Sequence, residues 1–298
     1  MTENILVIGA TGYLGRHLVT ELKRRAYRVR VLVRSRERAQ ADGPFGSPAL
    51  TDLVDEWIIG DVTDPEITAG ICDGVDRVVS SLGVTRQKAD PWDIDFRGNL
   101  AVLRDAERAK IRSFGYVGVL HSETGTSATM RAKTAFSEVV RRSSVAAQII
   151  NPSGYFSDLT DLLTMARAGM SLHLGTGETK LNPIHGADLA HFIADRVPDA
   201  PGRWDVGGPD ILTYRQLEEL AFNAVGKKPH SIGVPGQVLR SAEWIADRIS
   251  PRISNLTRFF GEGLATDAVG LPTGTHHIAE YFREHAQAGQ NAEDGSLG

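Results

Sequence analysis

The feature that most narrows the fold is a glycine-spaced turn near the start of the chain. In NILVIGATGYLGRHLVTELKRRAYRVRVLVRSR, residues 4–36, an apolar run (Ile5, Leu6, Val7, Ile8) reaches Gly9. Glycines recur at Gly12 and Gly15, a helical pattern opens, and a second apolar run fills 29–33. By periodicity this is strand, turn, helix, strand. A pyrophosphate can approach the backbone only where no Cβ intervenes, and the exposed N–H groups and dipole of a helix N-terminus favour its charge. Gly9 would make the tight turn, Gly12 allow the close approach and Gly15 let the helix pack on the strand. Three glycines alone are weak evidence. After a strand, before a helix and at the head of a unit of about 30 residues, they predict a dinucleotide site.

The spacing G-x-x-G-x-x-G, in the form GATGYLG, resembles the short-chain dehydrogenase/reductase superfamily, specifically its extended and atypical NmrA-like members. The resemblance implies a cofactor touched by Gly9, Thr11, Gly12, Tyr13, Leu14 and Gly15. At the end of the second strand, where a NAD-selective site carries Asp or Glu about 20 residues past the glycines, stand Val33, Arg34, Ser35 and Arg36. No acid repels a 2′-phosphate there, and Arg34, together with Arg36, can pair with one. NADP(H) is favoured over NAD(H); the alternative is a solvated basic turn.

Composition bounds the classes. With 298 residues, 41% hydrophobic, the chain can bury one sizeable core plus a small second lobe. A net charge of −4 gives no bulk electrostatic case for nucleic acid or an anionic membrane surface. The single Cys72 excludes an internal disulfide and fits a reducing cytoplasm. The N-terminus shows no secretory leader and no stretch is long enough for a membrane span, so a cytoplasmic monomer or homodimer is expected. His276 and His277 are adjacent rather than spaced on one helix face, and no metal site is proposed.

Along the chain, helix 13–25 places Leu14, Leu18, Val19 and Leu22 on one face, with Arg16, Lys23 and Arg24 opposite. Residues 39–52, rich in Gly and Pro, read as a surface loop. Strand 56–60 ends in Asp61-Val62, and the resemblance implies that Asp61 accepts from the adenine amino group. Asp64 suits an N-cap, with Pro65 following. Strand 77–80 ends in Ser80, Ser81, Leu82 and Gly83, which in the family run beneath the cofactor. Helix 93–111 resembles the family's helix with Phe96, Gly98 and Asn99, and strand 114–120 follows.

Here the family pattern breaks. Its catalytic members end the fifth strand in Ser and place Tyr four residues before Lys; in SATMRAKTAFSEVV, Lys133 is present, but the other positions hold Gly118 and Thr129. An alkyl hydroxyl cannot replace a tuned phenol as an acid near neutral pH. Lys133 could be the acid/base itself, as in isoflavone-reductase-like relatives. It could instead anchor a ribose while Ser122, His121 or Tyr155 moves the proton, or the protein could bind dinucleotide without chemistry. A solvent-facing surface Lys is the plain alternative. After strand 146–150, Asn151-Pro152 stands where the family has Arg-Pro; Pro152 is assigned to the cofactor site, with Tyr155 and Phe156 to the substrate pocket or simple core filling.

The alternation predicts an α/β fold, a Rossmann-type doubly wound parallel sheet over 1–152. A smaller α+β part over 153–286 returns some chain to that core, and 287–298 reads as a disordered tail. Asn182-Pro183-Ile184-His185 with Asp188 and Leu189 resembles a structural family segment, Thr213 is a helix cap, and an amphipathic helix runs through Val238, Ile245 and Ile249. The function expected is an NADP(H)-dependent reductase of a small carbonyl or enone. The alternative is a non-catalytic dinucleotide-binding regulator or assembly factor with a protein partner.

Overall fold

A computed structural model describes residues 2–84, 89–198 and 200–294. Strand β1 (Asn4–Ile8), helix α1 (Tyr13–Arg24) and strand β2 (Arg28–Val33) form the unit around the glycine turn. Next come α2 (Arg36–Gln40), β3 (Glu56–Ile59), α3 (Pro65–Thr68), β4 (Arg77–Ser80) and a π-helix (Trp92–Gly98) that runs directly into α4 (Asn99–Ala109). They are followed by β5 (Ser113–Val117), α5 (Ala128–Arg141), β6 (Ala146–Pro152), α6 (Thr160–Ala168), β7 (Ser171–Leu174), β8 (Lys180–Leu181), α7 (Gly186–Arg196) and β9 (Gly202–Gly207). The chain ends through β10 (Leu212–Thr213), α8 (Tyr214–Ala224), β11 (Ser231–Val234), α9 (Gly236–Ile249), α10 (Pro251–Ala265), β12 (Leu271–Pro272) and α11 (Ile278–Asp294).

One sheet runs β12-β9-β6-β5-β4-β1-β2-β3. The pairings along it from β6 to β3 are parallel, in registers such as Ile8↔Leu32 and Ile8↔Ser80. From β1 the chain steps outward to β3, then returns to β4 on the other side of β1. That reversal opens a crevice at the carboxyl end of β1, where ligands of open α/β sheets collect.

Both faces of this sheet are covered, so its strands are apolar runs rather than alternating ones. Leu6, Ile8, Phe114, Tyr116 and Ile149 share a core cluster with Val102 and Leu103 of α4 and Phe136 and Val140 of α5. Alternation sends Val7 and Val31 to the opposite face, where α1 packs on β1, β2 and α7. Leu18, Val19 and Leu22 of α1 are fully buried, each contributing about 1.5–3 kcal/mol.

Two compact units emerge: 1–152 with 186–205, and 153–185 with 206–298. The second has its own core of Phe156, Leu162, Leu163, Tyr214, Phe222 and Phe282. It adds the small pairings of β10 with β8 and β11 with β7. Thr213 caps α8, accepting from Gln216 N while the Gln216 side chain accepts from Thr213 N. Asp64 likewise caps α3, accepting from Glu66 N at 2.9 Å.

Two expectations are corrected and a third is completed. Arg16, placed by helical spacing on the polar face of α1, is only 3% exposed. Its guanidinium donates to the carbonyls of Thr11, Arg38, Ala39, Ala41 and Pro48 at 2.7–3.2 Å. The 39–52 segment lies mainly at the surface, as expected, but the same bonds tether it. It wraps a buried fork of donors that satisfies carbonyls lacking a ladder partner, with Leu50 fully buried and Ser47 nearly so. Finally, the tail expected to be disordered from 287 continues α11 to Asp294, and its last four residues lie outside the described ones.

Candidate functional site

The crevice at the end of β1 is a groove of about 100 Å³ walled by the β1 turn (Gly9, Thr11, Gly12), the ends of β2 and β3 (Val33, Arg34, Asp61, Val62) and the end of β4 (Ser81, Leu82, Gly83). Gly9 has φ +81°, and a Cβ there would lie 2.8 Å from Ser81 C and O; only glycine allows this turn under β4. Gly15 abuts Gly9 O and Ala10 so closely that a Cβ would collide. At Gly12 a Cβ would meet nothing nearer than Gly9 O at 3.4 Å, so the remaining space faces the groove. Gly12 N donates to Gly9 O at 3.1 Å, and α1 starts here with no side-chain cap and no acid in its first turn. The cradle suits a diphosphate.

Not every residue assigned to the cofactor from sequence lines this groove. Leu14 and Gly15 are spent on packing, and the Tyr13 hydroxyl accepts from Gly186 N at 3.1 Å, fixing the start of α7. Arg34 is on the wall, whereas the Arg36 guanidinium stacks over Trp57 at 5.1 Å. Ser80 is fully buried, and its hydroxyl donates to Asn99 Oδ1 at 2.5 Å. Pro152 is buried, its carbonyl accepting from Leu120 N. Phe156 fills the core of the second unit beside His185 and Tyr281, while Tyr155 N lies 3.4 Å from Asp158 Oδ2. Leu32, Gly60 and Ile94 line the groove without having been singled out from sequence; no residue-type signal marks them.

Asp61 Oδ1 accepts from both the backbone N (2.9 Å) and the hydroxyl (2.7 Å) of Thr63. These bonds hold its carboxyl below the usual range, and the charge of Arg34 adds to the effect. The carboxylate is thus oriented and ionised beside the arginine.

Lys133 is 5% exposed, which excludes a solvent-facing role. Its ammonium donates to Leu82 O at 3.2 Å and lies 2.9 Å from Asp95 Oδ1. Asp95, fully buried on the π-helix, escaped sequence reasoning because its partner is far away in the chain. Burial pushes its carboxyl above the usual range, and the Lys133 ammonium draws it back.

The two departures from the dehydrogenase pattern at Gly118 and Asn151 prove to be one. A Cβ at Gly118 would collide with Asn151 Oδ1, and Asn151 Nδ2 donates to Asp205 Oδ1 at 2.8 Å. Asn151 therefore occupies the space a serine would need. Thr129 is 2% exposed within α5.

A family model described as NAD(P)H-binding matches residues 9–200. The chloroplastic divinyl chlorophyllide a 8-vinyl-reductase of Zea mays is 30% identical over 272 residues, 83% of this chain and 65% of the reductase. The photosystem II assembly factor Ycf39 of Cyanophora paradoxa is 31% identical over 193 residues, 63% of this chain and 57% of that factor. The chain thus spans less than two thirds of the length of either relative. The NADPH complex of the Escherichia coli quinone oxidoreductase QOR2 superposes with a TM-score of 0.71 at 19% identity, over 94% of this chain and 99% of that one, and shares the fold.

Proposed function

Since this chain belongs to the NAD(P)H-binding family, we propose that it is an NADP(H)-dependent reductase of the atypical short-chain type, acting on a small carbonyl or enone. The carrying observation is a single groove that has a glycine cradle at its centre, Arg34 on one wall and Gly83, next to Lys133, on the other. A bound nicotinamide supplies the hydride chemistry. The chain's own residues bind and orient: Gly12 receives the diphosphate, Arg34 pairs with the 2′-phosphate, and Asp61 accepts from the adenine amino group. Each charge-assisted contact contributes on the order of 1.5–3 kcal/mol. Lys133 presents a positive charge on the far side, where negative charge develops on an acceptor.

A cytoplasmic setting fits the chain's one cysteine, Cys72, whose thiol is pushed up to about 12 by burial and by Asp105, and is an inert core group. Among the described residues no helix is long and apolar enough to cross a membrane.

Titration calorimetry with NADPH and NADH tests the assignment. NADPH should bind well ahead of NADH, and Arg34→Asp should cut that ratio by roughly ten- to a hundredfold. An unchanged ratio would remove Arg34 from the 2′-phosphate site, and absence of binding to either dinucleotide would overturn the reductase. NADPH consumption against aldehydes, quinones and enones then identifies the acceptor class. A second function, a dinucleotide-binding assembly factor or regulator, is favoured by the Asn151 side chain in the serine's place and by the buried Thr129. Tight NADPH binding with no turnover on any acceptor would select it.

A further inference from the structure

Three side-chain hydrogen bonds between the end of β4 and the π-helix converge on one side chain, Asn99. Asn99, fully buried, takes the Ser80 hydroxyl proton on Oδ1 and donates from Nδ2 to the backbone carbonyls of Asp95 (3.0 Å) and Ile94 (3.4 Å). The end of β4 is thereby tied to the widened helical turn that carries Asp95. A π-turn interrupts the regular ladder and re-aims the side chains it carries; here Asp95 is aimed into the protein, fully buried, and accepts from the Val84 backbone N–H. What compensates it is the Lys133 ammonium at 2.9 Å. Both groups lie directly behind the groove wall: a Cβ on Gly83 would come 3.7 Å from Lys133 Nζ and 3.8 Å from Asp95 Oδ1.

The sheet order decides which half of a dinucleotide this wall would meet. With a diphosphate on the β1 turn, the phosphorylated adenosine half lies toward β2 and β3, where Arg34 and Asp61 stand, so the nicotinamide half runs over Ser81 to Gly83. Resting on the dinucleotide assignment above, we propose that Asp95 is a positioning residue that pins the Lys133 ammonium beneath Gly83 as a fixed donor to the nicotinamide half of the cofactor. An ammonium on a four-carbon stem is otherwise free to turn away. Two of its three donors are directed to Asp95 and Leu82 O, which leaves a third beside Gly83. Among the described residues, another ionisable group beside it is Tyr116 of β5, whose ring centre is 5.7 Å from Nζ. On the neighbouring α4, Asp105 is held by Arg108 and Cys72 N, and Glu107 by Ser144 N.

The test compares two ligands on the full chain: NADPH, and adenosine 2′,5′-bisphosphate, which lacks the nicotinamide half. Asp95→Asn and Lys133→Met should each weaken NADPH roughly tenfold, the loss of about one charge-assisted contact. Neither should change affinity for the bisphosphate, which also shows that the variants keep a folded groove. The double variant should bind NADPH as Lys133→Met does, because Asp95 acts only through the lysine. If Asp95→Asn retains full NADPH affinity, or if bisphosphate affinity falls equally, Asp95 is not a positioning residue. Should Asp95→Asn not fold, a double variant binding NADPH much more weakly than Lys133→Met would overturn the proposal on its own. Failure of the wild type to bind either ligand would instead remove the cofactor assignment beneath it.

Discussion

Arg16 and Lys133 are two buried cations on either side of the same groove, and they are accommodated in opposite ways. Arg16, next to the glycine turn, donates to five neutral carbonyls drawn from its own helix start and from the 38–48 segment, with the Asp42 charge nearby but not bonded to it. Lys133 faces one carbonyl and one formal negative charge. A guanidinium shared among five backbone carbonyls becomes a scaffold for the loop around it. An ammonium held by a single carboxylate and a single carbonyl keeps a spare donor beside the groove. Burial by itself therefore does not mark function.

The largest expected effect lies on the scaffold side. Arg16→Met removes the donors shared by five carbonyls, of which Ala39 O keeps its bond from Leu50 N, and should cost on the order of 4–5 kcal/mol, read as a large drop in the denaturant midpoint. A loss under about 1 kcal/mol would mean that water takes over those carbonyls and that the contrast is false. Lys133→Met leaves Asp95 uncompensated and should cost about 3–5 kcal/mol. Most of that should return in the Asp95→Asn, Lys133→Met double variant, whereas additive losses would show that the two groups are not coupled.

A third measurement sharpens the account of the serine's absence. Gly118→Ser must displace Asn151 and should cost about 1–3 kcal/mol, with Asn151→Ala in the same chain recovering stability. If Gly118→Ser is neutral and raises turnover, the two positions are independent and the serine's place is open.

The smallest effect is an acid-side one on α1. Glu21 is held down to about 2, first by its bond from Arg24 and then by Arg25 and His191, against desolvation. A carboxyl lowered in the folded state stabilises above its unfolded value of about 4.3, and this contribution is lost as pH falls toward 2. Thermal unfolding from pH 5 to 2.5 should fall less steeply for Glu21→Gln than for the wild type; parallel curves would contradict the assignment.

Much of the first unit was readable locally. The apolar runs and glycine spacing identify β1, α1 and β2 to within a residue or so, and Asp64-Pro65 and Thr213 announce helix starts that the structure contains. The helix expected over 93–111 exists, but its first turns are π rather than α, because Asn99 holds two consecutive carbonyls of the preceding turn. Helical spacing misassigned Arg16, since a polar face is solvent-facing only if no other segment covers it. Ser80, placed at the cofactor by the family resemblance, donates to Asn99, and Arg36, read as a second partner for a 2′-phosphate, stacks over Trp57.

By itself, the sequence determined where the backbone can bend and which stretches must be buried, since glycine sterics and hydrophobic periodicity are properties of neighbours in the chain. That was sufficient for a doubly wound sheet and a phosphate-sized turn at its switch point. Tertiary structure alone decided the partnerships: Lys133 with Asp95, Asn151 in the space beside Gly118, the 38–48 carbonyls around Arg16. Each depends on which segments the sheet order brings face to face. The energy of a buried charge is set by the groups that surround it in space, not by those that precede it in the chain.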